Sequence, residues 1–145
     1  MNVIGQKAAP WHLWVIGVLS LLWNAGGVAS YIATETGQLD AFGMPPETHA
    51  YFYGFPAWAV AVWALGVWGS FFGSIALLLR KSWAVWLYGV SIAGLLGTTI
   101  YERLVAVVPE SLQSTGHTLF AVAIWVITLA LFFYARRMTA RGVLR

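Results

Sequence analysis

The sequence predicts an all-α membrane protein, a four-helix transmembrane bundle, and two observations carry that prediction. Charged residues make up 9% of the 145 residues and apolar residues 60%, whereas a soluble domain carries about 25% charge. The charges are also bunched. Uncharged windows of 27, 32, 20 and 25 residues lie between Lys7 and Glu35, Glu47 and Arg80, Lys81 and Glu102, and Glu110 and Arg136. Each can hold the roughly 20 apolar residues that cross a bilayer. Little is left for a soluble unit, so residues 1–145 read as one membrane domain.

The first span is expected at about 11–33. A cleavable signal peptide competes for this stretch, with Lys7 as its basic start and Gly27-Val28-Ala29 as a small-residue cleavage site. Trp11, Trp14, Trp23 and Asn24 fit an apolar signal core badly, so the uncleaved helix is preferred. Pro45-Pro46-Glu47-Thr48 opens a short interfacial helix through Tyr53, which Gly54 ends before Pro56 starts the second span, about 55–79. The third span is expected at about 83–101. Leu104 to Val108 are apolar up to Pro109, which would let this helix run past Glu102 and Arg103. The fourth is expected at about 118–135. No proline falls in the middle of a span.

Orientation follows from the cations, because Lys and Arg are retained on the cytoplasmic side. Lys7, Arg80, Lys81, Arg136, Arg137, Arg141 and Arg145 share one side, and Arg103 shares the other with all five acids, Glu35, Asp40, Glu47, Glu102 and Glu110. Both termini are therefore expected in the cytoplasm. Trp11, Trp14, Trp83 and Trp86 would mark the inner interface, and Tyr51, Phe52, Tyr53, Phe55 and Trp58 the outer one. The net charge of +3 follows the membrane, and nucleic acid is not an expected partner. A duplicated helical hairpin is one reading of two matches: Trp11-x-x-Trp14-x-x-Gly17-Val18 with Trp83-x-x-Trp86-x-x-Gly89-Val90, and Ala59-Val60-Ala61-Val62-Trp63 with Ala121-Val122-Ala123-Ile124-Trp125. Their offsets differ, 72 residues against 62, so nothing further is rested on them.

Polar and small residues fall on stripes at helical spacing: Gly17, Ser20, Asn24, Gly27, Tyr31 and Glu35 on the first span, and Ser91, Gly94, Thr98, Tyr101 and Glu102 on the third. The second span offers Gly66, Gly69 and Gly73 for helix packing, either inside the bundle or, through Gly69-x-x-x-Gly73, between copies. Asn24 lies roughly 20 Å above Trp11, deep in the hydrocarbon. An amide there either bonds a neighbouring helix or contacts a ligand at the base of an outward-facing cavity. With Trp23, Tyr31, Glu35, Tyr101, Glu102 and His117 above or beside it, Asn24 heads the candidate ligand residues. For Glu102 and Arg103 the plainer reading has the arginine snorkelling to the headgroups while the acid faces the bundle mouth.

Other chemistry finds little support. The chain has no cysteine, which removes disulfides and thiolate chemistry. His12 belongs to the opposite side from His49 and His117, which rules out a haem between His12 and His117, and of the pair His49 and His117 one lies in a loop, so a haem is disfavoured. His49, His117 and a nearby glutamate are acceptable metal ligand types without a recognised spacing, and no metal or other cofactor is expected. No nucleophile elbow, phosphate loop or His-Glu-x-x-His occurs. An enzyme is therefore disfavoured. No acid lies mid-span to couple transport to protons.

Trp11-His12-Leu13-Trp14, Leu22-Trp23-Asn24, Tyr51-Phe52-Tyr53-Gly54-Phe55-Pro56-Ala57-Trp58 and Gly66-Val67-Trp68-Gly69 resemble a family of small four-pass bacterial membrane proteins that carry a "sugar transporter" label. The resemblance covers about residues 11–103 and implies a four-pass fold and a sugar as solute. It lends no site residues. Two functions stay open on the sequence. One is a bacterial inner-membrane protein that binds or passes a small polar solute such as a sugar. The other is an accessory or scaffolding subunit of a larger membrane complex. The expected partners are the lipid bilayer and either further copies of the chain or the other subunits.

Overall fold

The computed structural model describes residues 6–145 and contains five α-helices: α1 (Trp11–Glu35), α2 (Pro46–Tyr53), α3 (Ala57–Leu78), α4 (Ala84–Leu104) and α5 (Thr115–Ala140). Short 3-10 turns at Leu39–Phe42 and Glu110–Leu112 complete the connections, and no strand occurs among the described residues. The fold is all-α. Helices α1, α3, α4 and α5 are each long and apolar enough to cross a membrane, which is compatible with an integral, multi-pass membrane protein. The short α2 is the helix expected between Pro46 and Tyr53.

Helix boundaries differ from the sequence expectation where a local bond decides them. α3 begins at Ala57 because Pro56, in extended conformation, is its cap. α5 begins three residues early, since the Ser114 hydroxyl accepts the His117 amide N–H at 3.2 Å and so caps the helix. It continues past Arg136 and Arg137 to Ala140. α4 carries Glu102 and Arg103 and ends at Leu104, where the amides of Val105 and Ala106 both return to the Tyr101 carbonyl. α1 gains a final partial turn to Glu35, with Thr36 hydrogen-bonded through both amide and hydroxyl to Ile32 O.

The tightest seam joins α3 to α4. A β-carbon on Gly94 would collide with backbone atoms of Gly66 and Val62. One on Gly69 would stand 3.0 Å from both Leu87 O and Ser91 N. One on Gly73 would meet the Tyr88 ring at 2.9 Å. Ser91 Oγ donates to Gly66 O at 2.6 Å across the same seam. Small residues thus bring two backbones into contact, the usual basis of close helix packing in lipid. The Gly66–Gly69–Gly73 face is occupied by α4 within the chain.

α1 also packs on α3, where a β-carbon on Gly17 would strike Leu78; α5 packs on α4. Two side-chain contacts link α1 to α5: Tyr134 OH with His12 Nδ1 at 2.6 Å, and the Trp23 ring 5.7 Å from that of Phe120. Gly17 faces α3 while its counterpart Gly89 faces Phe132 of α5, yet the α3–α4 seam has no equal between α5 and α1.

Two apolar clusters fill the ends. Leu13, Leu77, Tyr88, Leu131, Ala135 and Met138 form one. Phe55, Ala59 and Tyr101 form the other, with Tyr51, Phe52 and Trp63 against it. Phe55 is only 8% exposed, and its ring sits 4.7 Å from that of Tyr101. It therefore serves the core, whereas the sequence reading had it at the interface. Trp11 and Trp86, at 75% and 78% exposed, have the open positions that interfacial rings need.

Residues 142–145 fold back over the basic end. Lys7 N donates to Gly142 O, Ser82 N to Arg145 O and Arg145 N to Arg80 O, at 2.9–3.0 Å. Arg80 takes a left-handed backbone with φ 57°, and its guanidinium donates to the carbonyls of Val143 and Lys7. Val143 and Leu144 are buried beneath.

Gly94→Ala is expected to lower stability by about 1–3 kcal/mol, because backbone rather than a flexible side chain must give way. Gly26→Ala, whose β-carbon would have nothing within 4 Å, should be close to neutral. Thermal unfolding of both variants in the same detergent checks the contrast.

Candidate functional site at the acidic end

Polar side chains in this bundle fall into two groups that lipid treats differently. The first is buried between α1, α3 and α4. Asn24 Nδ2 donates to Ser70 O at 3.1 Å and to Ser74 Oγ at 3.0 Å, and Asn24 Oδ1 accepts from Ser70 Oγ at 2.9 Å. Ser74 Oγ donates to Ser20 Oγ at 2.9 Å and lies 2.9 Å from Tyr88 OH. Ser20 Oγ donates in turn to Gly17 O. Asn24 is 8% exposed, and both of its amide amino and carbonyl groups are engaged. A polar group in hydrocarbon must find such partners inside the protein, and the spacing Ser70–Ser74 presents one hydroxyl per turn to Asn24.

The second group surrounds a cleft of about 430 Å³ at the acidic end, between α2, the end of α4 and the start of α5. Its polar lining consists of Tyr51, Glu102, Arg103, Gln113, His117 and Thr118. Local bonds place each of them. Thr48 Oγ1 lies 3.1 Å from Ser111 Oγ, tying α2 to the turn that leads into α5 and holding Tyr51 over the cleft. Gln113 Nε2 donates to Val108 O at 2.7 Å, and the Ser114 cap fixes the first turn of α5, which carries His117.

Four of these groups make no hydrogen bond or salt bridge, although the Glu102 and Arg103 charges attract each other and Arg103 is exposed. The Tyr51 hydroxyl is buried without a hydrogen bond. The side chains of Glu102, Arg103 and His117 have no hydrogen bond or ion pair among the described residues. Burial above all, then the nearby Glu102 charge and Tyr101, push the Tyr51 phenol well above the ordinary tyrosine range, so it is a neutral donor. Beside the cleft, His49 Nδ1 stands 3.0 Å from Asp40 Oδ1, and its Nε2 is buried with no partner. No group of three or more His, Asp or Glu is placed to hold a metal among the described residues.

The seven residues singled out from sequence do not form one site. Glu102 and His117 meet in the cleft. Glu35 lines a separate recess of about 330 Å³ with Thr34, Gly37 and Tyr53. Tyr31 stacks edge-on against Trp63 and Trp68, and Tyr101 is buried against Phe55 and Trp58. Trp23 lies against Phe120, and Asn24 lines neither opening. Tyr51 was read only as an interfacial ring, Arg103 only as a snorkelling cation, and Gln113 and Thr118 were not singled out. Loop residues brought over a helix end carry no periodic signal. Adjacency to Glu102 was the one available hint for Arg103.

No family model, curated protein or solved structure matches this chain, so the cleft is interpreted from its own geometry.

Asn24→Ala is expected to cost about 0.5–2 kcal/mol, the range for hydrogen bonds between membrane helices, read as a lower unfolding temperature in detergent.

Proposed function

We propose that this chain is a multi-pass protein of a bacterial inner membrane that binds a small polar solute in the cleft between α2, α4 and α5. The supporting observation is the set of four polar groups without a hydrogen bond or salt bridge, Tyr51, Glu102, Arg103 and His117, around one opening. Between α1, α3 and α4, by contrast, the side chains of Asn24, Ser70 and Ser74 are hydrogen-bonded to one another. A concave site with a few convergent polar groups is the usual form of a small-molecule site. The sequence resemblance names a sugar as the solute class. Lys and Arg retention favours the basic end in the cytoplasm and the cleft outside.

Binding fits the geometry better than passage does. In the middle of the bundle, the Asn24–Ser70–Ser74–Tyr88 network joins α1, α3 and α4, and Gly94 brings α3 and α4 into backbone contact; no span is interrupted. Such packing also favours the second reading, an accessory subunit of a membrane complex.

Ligand-dependent thermal stabilisation of the purified protein separates the two. A polar solute should raise the unfolding temperature, and Glu102→Gln or His117→Ala should abolish the rise while Asn24→Ala retains it. If no polar solute stabilises the protein but a second protein co-purifies in mild detergent, the subunit reading replaces the first. A reporter fused after Arg145 should be active only in the cytoplasm; activity outside would reverse the orientation.

A further inference from the structure

We infer that the solute of this cleft is a small zwitterion, held with its cationic group at Glu102 and its anionic group at Arg103. The inference rests on the cleft being a binding site and adds the class of ligand. Glu102 and Arg103 are neighbours on α4, so their side chains diverge by about 100° around the helix. They do not pair with each other, yet both line the same opening. Their charges attract without closing into a salt bridge, so the space between these divergent side chains has a positive and a negative wall.

Each simpler ligand is penalised by one of these walls. A lone anion gains Arg103 but meets the repulsion of Glu102, and a lone cation meets the reverse. An uncharged sugar offers hydroxyls to both yet displaces water from two charges without supplying a counter-charge, which is costly at a half-buried carboxylate. A molecule with an ammonium and a carboxylate a few atoms apart satisfies both walls at once. The two remaining groups extend the match: the Tyr51 hydroxyl lacks an acceptor, and the His117 ring stands on the α5 side of the same opening. Both can donate to the ligand's carboxylate, and Tyr51 can also accept from an ammonium N–H.

The test is isothermal titration of the full-length protein in detergent or nanodiscs with L-alanine, and with ethylamine, propionate and D-glucose as single-feature probes. L-alanine should bind at least tenfold more tightly than any of the three. Glu102→Gln and Arg103→Gln should each weaken L-alanine by on the order of tenfold or more. Glu102→Gln should also bring propionate binding up toward that of L-alanine, a gain that a merely damaged fold would not produce. Unfolding temperatures of the unliganded variants confirm that each is folded. If D-glucose binds and L-alanine does not, the zwitterion assignment is overturned while the cleft remains a solute site. If none of the four binds, both the assignment and the solute reading fall.

Discussion

Backbone can touch backbone between two helices only where a hydrogen atom stands in place of a β-carbon, and α3 and α4 are held together at such points. Gly94 lies against the peptide groups of Gly66 and Val62, and Gly69 against Leu87 and Ser91. In lipid no hydrophobic force separates a helix from its solvent, so dispersion at close range and a few interhelical hydrogen bonds must supply the cohesion. The remaining architecture is referred to that seam. α1 packs on α3 and α5 on α4, and Ser70 and Ser74 can reach Asn24 because their helix is already fixed.

The membrane then divides the polar residues. Those in the hydrocarbon close on one another in a chain from Asn24 through Ser70 and Ser74 to Ser20 and Tyr88. Water is absent there, so an open partner would cost several kcal/mol. Those at the acidic end are under no such constraint, and Glu102, Arg103 and His117 stand unpaired. The same residue types therefore mean different things at different depths: saturation in the middle is structural, and openness at the rim is available for recognition.

That depth dependence also explains what the sequence could and could not disclose. Span number and the gathering of cations at one end were legible because charge spacing and bilayer thickness are one-dimensional. The short α2 was legible from Pro46 and Gly54, whose backbone restrictions act locally. Asn24 was expected near the middle of its span and is buried in the middle of α1, but whether its amide met a ligand or a neighbour depended on which residues of α3 faced it. Ser70 and Ser74 are four apart on a helix that carries many small residues, so nothing singled them out. The cleft was half legible. Glu102 and His117 lie on helix ends, whereas Tyr51 and Gln113 arrive through connections whose path no periodicity encodes.

The two ends of the bundle differ in a way that bears on what a solute could do. At the basic end, segments near residues 7, 80 and 143 exchange main-chain hydrogen bonds, and the Arg80 guanidinium is consumed by carbonyls. Its left-handed backbone is a conformation that a β-carbon makes unfavourable, and those bonds hold it in place. Val143 and Leu144 close the gap below. At the acidic end, the connections are joined by single side-chain bonds such as Thr48–Ser111, and the Tyr51 hydroxyl is buried there without one. A bundle stitched at one end and open at the other has one-sided access. The hydrogen bonds between α1, α3 and α4 in the middle of the bundle are saturated, and opening them in a medium that offers no replacement would cost several kcal/mol, which is why recognition at the acidic end is the reading that the chemistry favours.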